Sequence, residues 1–345
     1  MFSFRTTPIE DQLDKSLHEG KVAVFCTQSC WNADSGRYLY EIFRERGNLA
    51  HIYRPEGEHI PFDPDEMKDY SAVVVEIQDT GSRFSSYTVD ALRLVCALSA
   101  LGEDAPSLFI IDHINPAGRE VEGTLPAGES DIWTPKVAHR HGLTLGELIY
   151  LYYSETGAGF PLHIISAMAA PTSLLPWAIP ASDDFAGMFT PYFYTGGCMW
   201  KDTNINPGEG TARPYEFIGA PFLKPDADPI PVPEGVLARP CSFTPLSGVH
   251  EGEKCFGYQL ILLPGAHYHS LLHTVTLMKH FSDRYSSFHI SDSLFTRLAD
   301  PVIAEYLKGD LTFDVVEEHV KSEEQKWIRK AKRFLLYDDQ PFRIK

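Results

Sequence analysis

The sequence has few basic residues for its length. Of its 345 residues, 30 are Lys or Arg and 47 are Asp or Glu, which gives a formal charge of −17. Such a surface does not neutralise phosphates, so the composition argues against binding to nucleic acid and to an anionic membrane surface. Basic residues cluster only near the C-terminus, where they predict the solvated face of a helix. They are Lys326, Arg329, Lys330, Lys332 and Arg333.

Long apolar runs are also absent. The N-terminal segment MFSFRTTPIEDQLDK has no apolar core of a signal peptide, and no segment reaches the length of a membrane span. We therefore expect a cytoplasmic protein without membrane insertion.

The cysteines form no zinc-binding pattern. They are Cys26, Cys30, Cys96, Cys198, Cys241 and Cys255. The first two are separated by three residues, but no second pair and no nearby His-x-x-x-His completes a metal site. We expect free thiols in a reducing compartment. Cys96 lies in an apolar helical run, which favours a place in the core.

Several cofactor and nucleophile motifs are missing. No G-x-G-x-x-G follows the first predicted strand, so a dinucleotide is not expected. The sequence also contains no P-loop and no G-x-S-x-G elbow. A phosphate-bearing cofactor therefore has no recognisable binding segment.

The residues that are present are typical of a soluble enzyme or binding protein of about two domains. In the first 150 residues, strand and helix patterns alternate. The strands are predicted at Val22–Thr27, Leu49–Tyr53, Ala72–Ile77 and Leu108–Ile111, and the helices at Gly36–Arg46, Tyr87–Leu101 and Leu145–Tyr153. Thr144 and Glu147 form a capping-box pattern before the last helix. This order predicts an α/β fold with a Rossmann-like, doubly wound parallel sheet.

The second half has a different pattern. Regular structure is sparse from Phe160 to Val236, and PDADPIPVPEG (225–235) predicts an extended connection. Strands are predicted at SFTP (242–245) and GYQLILL (257–263), followed by helices at Ala266–Phe281, Ser293–Leu307 and Phe313–Leu335. We therefore expect a Rossmann-like domain at 1–158 and a smaller α+β domain at 159–345.

Polar side chains follow each predicted parallel strand. The four strand ends read TQS (27–29), RPEGE (54–58), QDTGSR (78–83) and DHINP (112–116). Ligands of open parallel sheets bind beyond the carboxyl ends of the strands. Carboxylates and amides bind hydroxyl groups, and Arg binds an acidic substituent, so the composition predicts a sugar-like ligand. His113 and Asn115 lie in the last of these segments.

Two carboxyl groups at a cleft are the minimum for cleaving a glycosidic bond, because one protonates the leaving oxygen while another base assists water. Glu56, Glu58 and Asp79 are the candidates. Asp79 is equally explained as a turn-capping residue, and the two glutamates as parts of a solvated loop. His141 and His250 are each explained either as ligand-binding residues or as structural ones.

The segment TNINPGEGTARPYEFIGAPF (203–222) combines three glycines, three prolines and several polar side chains without apolar periodicity. Such a run does not form a helix or a central strand, and its glycines permit close approach of the backbone. A long polar loop of this kind shapes a site or forms an ordinary surface connection.

Six ordered blocks resemble the NamZ-type exo-β-N-acetylmuramidases, a bacterial glycoside hydrolase family. The blocks are RPEGE (54–58), EIQDTGSRFSSYT (76–88), IDHINPAGREVEG (111–123), HRHGLTLGEL (139–148), TNINPGEGTARPYEFIGAPF (203–222) and CSFTPLSGVHEGEKCFG (241–257). The resemblance implies two domains with the active site in the cleft between them. It also implies removal of N-acetylmuramic acid from non-reducing ends of peptidoglycan fragments, with no metal or redox cofactor.

The resemblance also implies roles for individual residues. Glu56 matches the catalytic glutamate of the family's Pro-Glu-His-Gly motif and is expected to be the general acid. Asp79 or His141 is expected to assist water or the acetamido group of the sugar. The remaining residues that we predict to bind substrate are Glu58, Arg83, Tyr87, His113, Asn115, Asn204, Glu209, Arg213 and His250. A cationic Arg83 or Arg213 suits the lactyl carboxylate of muramic acid.

The chain departs from the family pattern at the centre of these motifs. Gly57 replaces the histidine after the glutamate, and His113 replaces an arginine. The glycine-rich loop loses one glutamate and one arginine and gains Glu209. These changes leave open a second hypothesis, a non-catalytic protein that binds cell-wall sugars or muropeptides. A third hypothesis is hydrolysis of another glycoside with Glu58 or Glu209 as the acid.

Overall fold

The computed structural model describes residues 9, 13, 17, 20–32, 36–128, 136–167, 180–182, 184–185, 187–226 and 228–337. Strands of the first half are β1 (Val22–Cys26), β2 (Trp31–Asn32), β3 (Arg37–Tyr38), β4 (Leu49–Tyr53), β5 (Ala72–Glu76), β6 (Ser107–Asp112) and β7 (Leu162–Ser166). Its helices are α1 (Leu39–Arg46), α2 (Ser86–Leu101) and α3 (Leu145–Thr156).

Five strands form one parallel sheet in the order β4-β1-β5-β6-β7. Every residue of β1 and β5 is buried, as expected of strands covered on both faces. This strand order places a topological switch point between β1 and β5, where the connections leave in opposite directions. The predicted α/β fold with a parallel sheet is confirmed.

Local sequence signals explain most element boundaries in this half. The predicted capping box is present, because the Thr144 hydroxyl accepts from the backbone N–H of Glu147 and the Glu147 carboxylate accepts from the backbone N–H of Thr144. The first helix begins three residues later than predicted, since Arg37–Tyr38 pairs with Trp31–Asn32 as a short hairpin. The edge strand β7 lies in a region where we predicted little regular structure.

The predicted core position of Cys96 is wrong. Helix α2 buries the stripe that contains Leu94, Val95 and Leu98, and Cys96 lies outside that stripe with its side chain exposed. Its Sγ is 2.6 Å from the Tyr152 hydroxyl oxygen on α3. Apolar composition identified the helix but did not fix which positions face inward.

The second half contains α4 (Thr190–Gly197), β8 (Phe217–Ala220), β9 (Val236–Phe243), β10 (Cys255–Leu262), α5 (Ser270–Arg284), α6 (Ser293–Leu298), α7 (Pro301–Lys308) and α8 (Phe313–Ala331). Its three strands form an antiparallel sheet in the order β8-β10-β9. This separate small sheet with its helices agrees with the predicted α+β character.

Two predictions for this half need correction. The glycine- and proline-rich segment is not loop throughout, because Phe217–Ala220 pairs with β10 as an edge strand. The helix predicted at Ser293–Leu307 is two helices. Ala299 takes a left-handed conformation with φ 49°, and Pro301 then starts the next helix without a backbone donor.

The last helix, α8, packs into two hydrophobic cores. Val316 and Val320 lie in the core of the second half, together with residues of β8, β10 and α5. Trp327 and Ile328 lie in the core under the parallel sheet. The indole N–H of Trp327 donates to the backbone oxygen of His141 at 2.9 Å. The two halves therefore share one structural element, and the boundary at 158/159 stays a prediction.

A buried ionic group also joins the halves. The Arg140 guanidinium donates to Glu122 Oε1 at 2.7 Å, and both side chains are almost completely buried. From the second half, the Ser270 hydroxyl and the Leu271 backbone N–H donate to Glu122 Oε2. The guanidinium also lies over the Tyr192 ring, 4.9 Å from its centre.

Candidate active site

A cleft of about 390 Å³ opens at the carboxyl ends of β1 and β4, beside the topological switch point. Small-molecule sites commonly measure about 300–1,000 Å³, so this volume favours a ligand the size of one sugar ring. The residues that line it are Cys26, Thr27, Gln28, Tyr38, Tyr40, Arg54, Pro55, Tyr87, Ala181 and Ser182. Because Ala181 and Ser182 come from beyond β7, both halves of the sequence contribute to the cleft.

Glu56 follows the lining residue Pro55 in a tight turn at the edge of the cleft. The backbone N–H of Glu56 donates to the backbone oxygen of His59 at 2.8 Å, and Gly57 takes φ 66° between them. The Tyr87 hydroxyl donates to the Gly57 oxygen at 3.5 Å. The Glu56 side chain is exposed. The turn thus presents the carboxyl group to solvent next to the cleft.

Asp79 and His141 form a buried pair that does not line the cleft. Their Oδ2 and Nε2 atoms are 3.2 Å apart, and the side chains are 2% and 0% exposed. The Nδ1 atom of His141 accepts from the backbone N–H of Leu143, which places the proton of the neutral ring on Nε2, facing Asp79. Burial alone would raise the pKa of Asp79, but His141, Thr88 and the Gly81 N–H together lower it.

Tyr87 connects this pair to the cleft. The hydroxyl of the next residue, Thr88, donates to Asp79 Oδ1 at 2.6 Å, while Tyr87 itself lines the cleft and contacts the turn after Glu56. The structure therefore brings Glu56, Tyr87 and Asp79 into one connected region. Asp79 contacts the start of α2, and Tyr87 contacts the cleft.

Arg83 lies inside the protein, between the two halves. Its guanidinium donates to the backbone oxygens of Thr124 and Leu298, each at 2.7 Å, and lies 3.0 Å from His139 Nε2. Burial lowers the pKa of Arg83 to about 9. These contacts indicate that Arg83 holds the two halves together, and its role as a substrate ligand stays a prediction.

Glu58 and Glu209 both lie near Lys201. The Lys201 ammonium forms an ion pair with Glu209 at 2.7 Å. Burial alone would lower the pKa of Lys201, but Glu209, and beyond it Asp184 and Glu58, raise it. The charge of the exposed Glu58 in the first half therefore acts on a cation of the second half.

His113 lies beside a carboxylate that sequence reasoning missed. Its Nε2 atom is 3.6 Å from Oε1 of Glu76, the last residue of β5. Glu76 is 3% exposed, and its other carboxylate oxygen has no hydrogen-bond partner among the residues that the structure describes. Sequence reasoning missed Glu76 because it stands at the end of the apolar run of β5 and was assigned to the strand.

Asn115 and Arg213 make local contacts. The amide of Asn115 donates to the backbone oxygen of Leu143 and accepts from the backbone N–H of Ala117, and its side chain is buried. Arg213, whose side chain is about half exposed, forms an ion pair with Glu216 at 3.0 Å. Asn115 therefore shapes the loop after β6, and Arg213 is partly neutralised by its neighbour.

Asn204 and His250 contact each other within the second half. The Nε2 atom of His250 is 3.0 Å from the backbone oxygen of Asn204. The Asn204 amide donates to the backbone oxygen of Ser287 and accepts from the backbone N–H of His289. These bonds fix the start of the 203–222 segment. Binding of substrate by either residue stays a prediction.

Asp112, the last residue of β6, is fully buried and joins three segments. Its carboxylate accepts from the Gly146 N–H and from the hydroxyls of Thr144 and Tyr337, at 2.7–2.8 Å. Burial raises the pKa of Asp112 to about 6, although these hydrogen bonds lower it. The carboxyl therefore binds its proton more tightly in the folded state than in the unfolded chain, where the pKa is about 3.9.

This shift predicts how Asp112 affects stability as pH changes. The contribution of Asp112 to the free energy of unfolding is fully present below about pH 4 and is lost as the pH rises through about 6. We expect the free energy of unfolding of the wild type, relative to Asp112→Asn, to fall by about 2–3 kcal/mol between pH 4 and pH 7. Urea unfolding of both proteins across that range measures it. A difference that stays constant with pH contradicts the assignment.

Among the described residues, no group of three His, Cys, Asp or Glu side chains is placed to hold a metal ion. Within the same residues, none of the helices combines the length and the apolar character that crossing a bilayer requires.

Family models for the two parts of a known enzyme match this chain. A model described as exo-β-N-acetylmuramidase NamZ, N-terminal, matches residues 24–178, and the corresponding C-terminal model matches residues 192–337. The peptidoglycan β-N-acetylmuramidase NamZ of Bacillus subtilis (strain 168) is 26% identical over 304 residues, which cover 83% of this chain and 72% of that protein.

Solved structures with a similar fold are two DUF1343 family proteins from Bacteroides fragilis NCTC 9343. The first has a TM-score of 0.77 at 18% identity and covers 96% of this chain and 97% of its own. The second has a TM-score of 0.75 at 19% identity and covers 96% and 98%. At this identity the likeness concerns the fold alone, and it extends over both halves.

Proposed function

Because the chain belongs to the NamZ family of exo-β-N-acetylmuramidases, we propose that it removes N-acetylmuramic acid, or a related amino sugar, from non-reducing ends of peptidoglycan fragments. The observation that supports this most directly is the position of Glu56. It lies in a turn fixed by its own backbone, at the edge of a cleft with the volume of one sugar. A site that accepts a single ring suits an enzyme that acts on chain ends.

In the proposed reaction, Glu56 donates its proton to the glycosidic oxygen as the bond from that oxygen to the anomeric carbon breaks. Attack of water on the anomeric carbon completes the hydrolysis, and the proton that the water loses replaces the one that Glu56 donated. Asp79 and His141 are buried, so we assign them to positioning. Through Thr88, Asp79 fixes the first turn of α2, and with it the ring of Tyr87 at the cleft.

The test is hydrolysis of defined substrates by the full chain. We expect release of the aglycone from a chromogenic N-acetyl-β-muramide, and release of N-acetylmuramic acid from a disaccharide that carries it at the non-reducing end. The isomeric disaccharide with N-acetylglucosamine at that end is the control and should remain intact. Equal cleavage of the two disaccharides contradicts exo-muramidase action, and no cleavage of any substrate contradicts hydrolysis.

A second candidate is a non-catalytic protein that binds the same sugars. The observation that favours it is Gly57, which stands where the motif has a histidine next to the glutamate. Calorimetry with N-acetylmuramic acid, in parallel with the hydrolysis assay, separates the two. Binding without turnover of any of these substrates supports the binding protein, and measurable turnover eliminates it.

A further inference from the structure

We propose that Arg54 is the residue that binds the carboxylate of the sugar, and so selects muramic acid over glucosamine. This inference rests on the proposed function, because it assumes that the cleft next to Glu56 holds the terminal sugar. Arg54 directly follows β4 and lines the cleft together with Pro55. Among the described residues that line this cleft, it is the one cation.

The surroundings of Arg54 prepare it to bind an anion. Its guanidinium lies over the ring of Tyr40, 5.0 Å from the ring centre, which holds the planar group in one orientation. The side chain is exposed, and within the described part of the chain it forms no ion pair with a carboxylate. A guanidinium fixed in this way presents paired N–H donors that match the two oxygens of a carboxylate.

The other candidate cations are already engaged. Arg83 is buried and donates to backbone oxygens of both halves. Arg213 is paired with Glu216 at 3.0 Å. Lys201 is paired with Glu209 at 2.7 Å. Use of any of these cations for a ligand carboxylate requires breaking an ion pair or a hydrogen bond to a backbone oxygen, whereas Arg54 lies against the Tyr40 ring and near the protonated Cys26 thiol.

Arg54 lies next to Cys26, because β4 and β1 are paired and Tyr53 is the register partner of Phe25. Glu76 lies beside Cys26 in the register of β5 and β1, and Cys26 lines the cleft. Burial and then Glu76 raise the pKa of the Cys26 thiol to about 11, although the neighbouring Arg54 lowers it, so the thiol stays protonated. Arg54 and Glu76 therefore both act on Cys26, at the carboxyl ends of the strands, where a cation and a buried carboxylate lie on the same side of the cleft.

The size of the cleft restricts the class of anion. A volume of about 390 Å³ accepts a single substituted sugar ring, and Tyr38 and Tyr87 provide aromatic surfaces for its apolar faces. Muramic acid carries a carboxylate on the lactyl ether at O3, and N-acetylglucosamine has a hydroxyl at the same position. The two sugars therefore differ in the group that Arg54 is proposed to bind.

The experiment compares binding of free N-acetylmuramic acid and N-acetylglucosamine by calorimetry. The proteins are the wild type, Arg54→Gln, Arg54→Lys and the control Arg44→Gln. Arg44 is a matched control, because its guanidinium lies over the same Tyr40 ring, at 5.3 Å, without lining the cleft.

We expect the wild type and Arg44→Gln to bind N-acetylmuramic acid at least about tenfold more tightly than N-acetylglucosamine, as a charge-assisted hydrogen-bonded pair allows. Arg54→Gln should reduce this ratio of affinities to about one, because it weakens the binding of N-acetylmuramic acid and leaves the binding of N-acetylglucosamine unchanged. Arg54→Lys should restore part of it, since the charge remains but the paired donors are lost.

Three results overturn the proposal. The first is a wild type that does not prefer N-acetylmuramic acid, including one that binds neither sugar. The others are an unchanged preference in Arg54→Gln, and a loss of preference in Arg44→Gln as large as that in Arg54→Gln. Hydrolysis is scored separately from binding. If the preference depends on Arg54 but no substrate is cleaved, the carboxylate site stands and the hydrolase proposal fails. If substrates are cleaved but the preference does not depend on Arg54, the hydrolase proposal stands and the carboxylate site at Arg54 fails.

Discussion

Replacing Glu56 by glutamine is expected to lower kcat/KM for a disaccharide with N-acetylmuramic acid at its non-reducing end by about 10²–10⁴-fold. Glutamine has nearly the shape of glutamate but no proton to donate to the leaving oxygen. The turn should persist in the variant, since its contacts are the backbone hydrogen bond to His59 and the Tyr87 bond to the Gly57 oxygen. Initial rates over a range of substrate concentrations measure the effect.

The leaving group provides a second readout of the same role. An aryl muramide with an acidic phenol needs little protonation as it departs, so Glu56→Gln should lose much less activity on it than on the disaccharide. Glu58→Gln and Glu209→Gln are the matched controls, and each should show a smaller loss without this dependence on the leaving group. If Glu58→Gln or Glu209→Gln shows the large, leaving-group-dependent loss instead, that residue is the acid and Glu56 is not.

The second large effect concerns stability. Replacing Glu122 by glutamine is expected to lower the free energy of unfolding by about 3–5 kcal/mol, because it leaves the buried Arg140 guanidinium without its main counter-charge. Glu120 also approaches Arg140, at 3.4 Å, but is partly exposed and screened by solvent. Chemical unfolding followed by circular dichroism and by tryptophan fluorescence measures the loss.

The control for this prediction is Glu317→Gln. Glu317 forms an ion pair with Lys321 on the exposed face of α8, where both side chains are more than 40% exposed. Such surface pairs contribute about 0–1 kcal/mol. A loss for Glu122→Gln no larger than the loss for Glu317→Gln would show that the buried pair does not stabilise the contact between the halves.

Local sequence signals predicted the first half of the fold well. The strands β1, β5 and β6 are mostly apolar because both faces of the sheet are covered, and the carboxylates Glu76 and Asp112 stand at the ends of β5 and β6. Thr144 and Glu147 marked the start of α3 by the bonds that they make. Strand β7 was missed because its exposed edge allows a mixed sequence, with His163 between apolar residues. The helix predicted at Ser293–Leu307 is divided because Ala299 takes a left-handed conformation and Pro301 starts a new helix.

The candidate site was harder to predict, because the partners of its residues are distant in sequence. Arg83 is predicted to suit the lactyl carboxylate, and its guanidinium also contacts Thr124 and Leu298, which are 41 and 215 residues away. No local pattern encodes such contacts. Arg54 belonged to a recognised block, yet the position of its guanidinium depends on Tyr40, which belongs to α1. The strand ends identified where the cleft lies, and tertiary packing decided which side chains face it.

The shared helix α8 has a consequence for how a sugar enters. Its 19 residues form a rod about 28 Å long with Val316 and Val320 anchored at one end and Trp327 at the other. Closure of the two halves around a ligand requires a hinge between them. Helix α8 packs into both cores and, together with the buried Glu122–Arg140 pair, opposes such a rotation. We therefore expect the cleft to keep its width on binding, with the fit adjusted by the tyrosine side chains and the turn after Pro55.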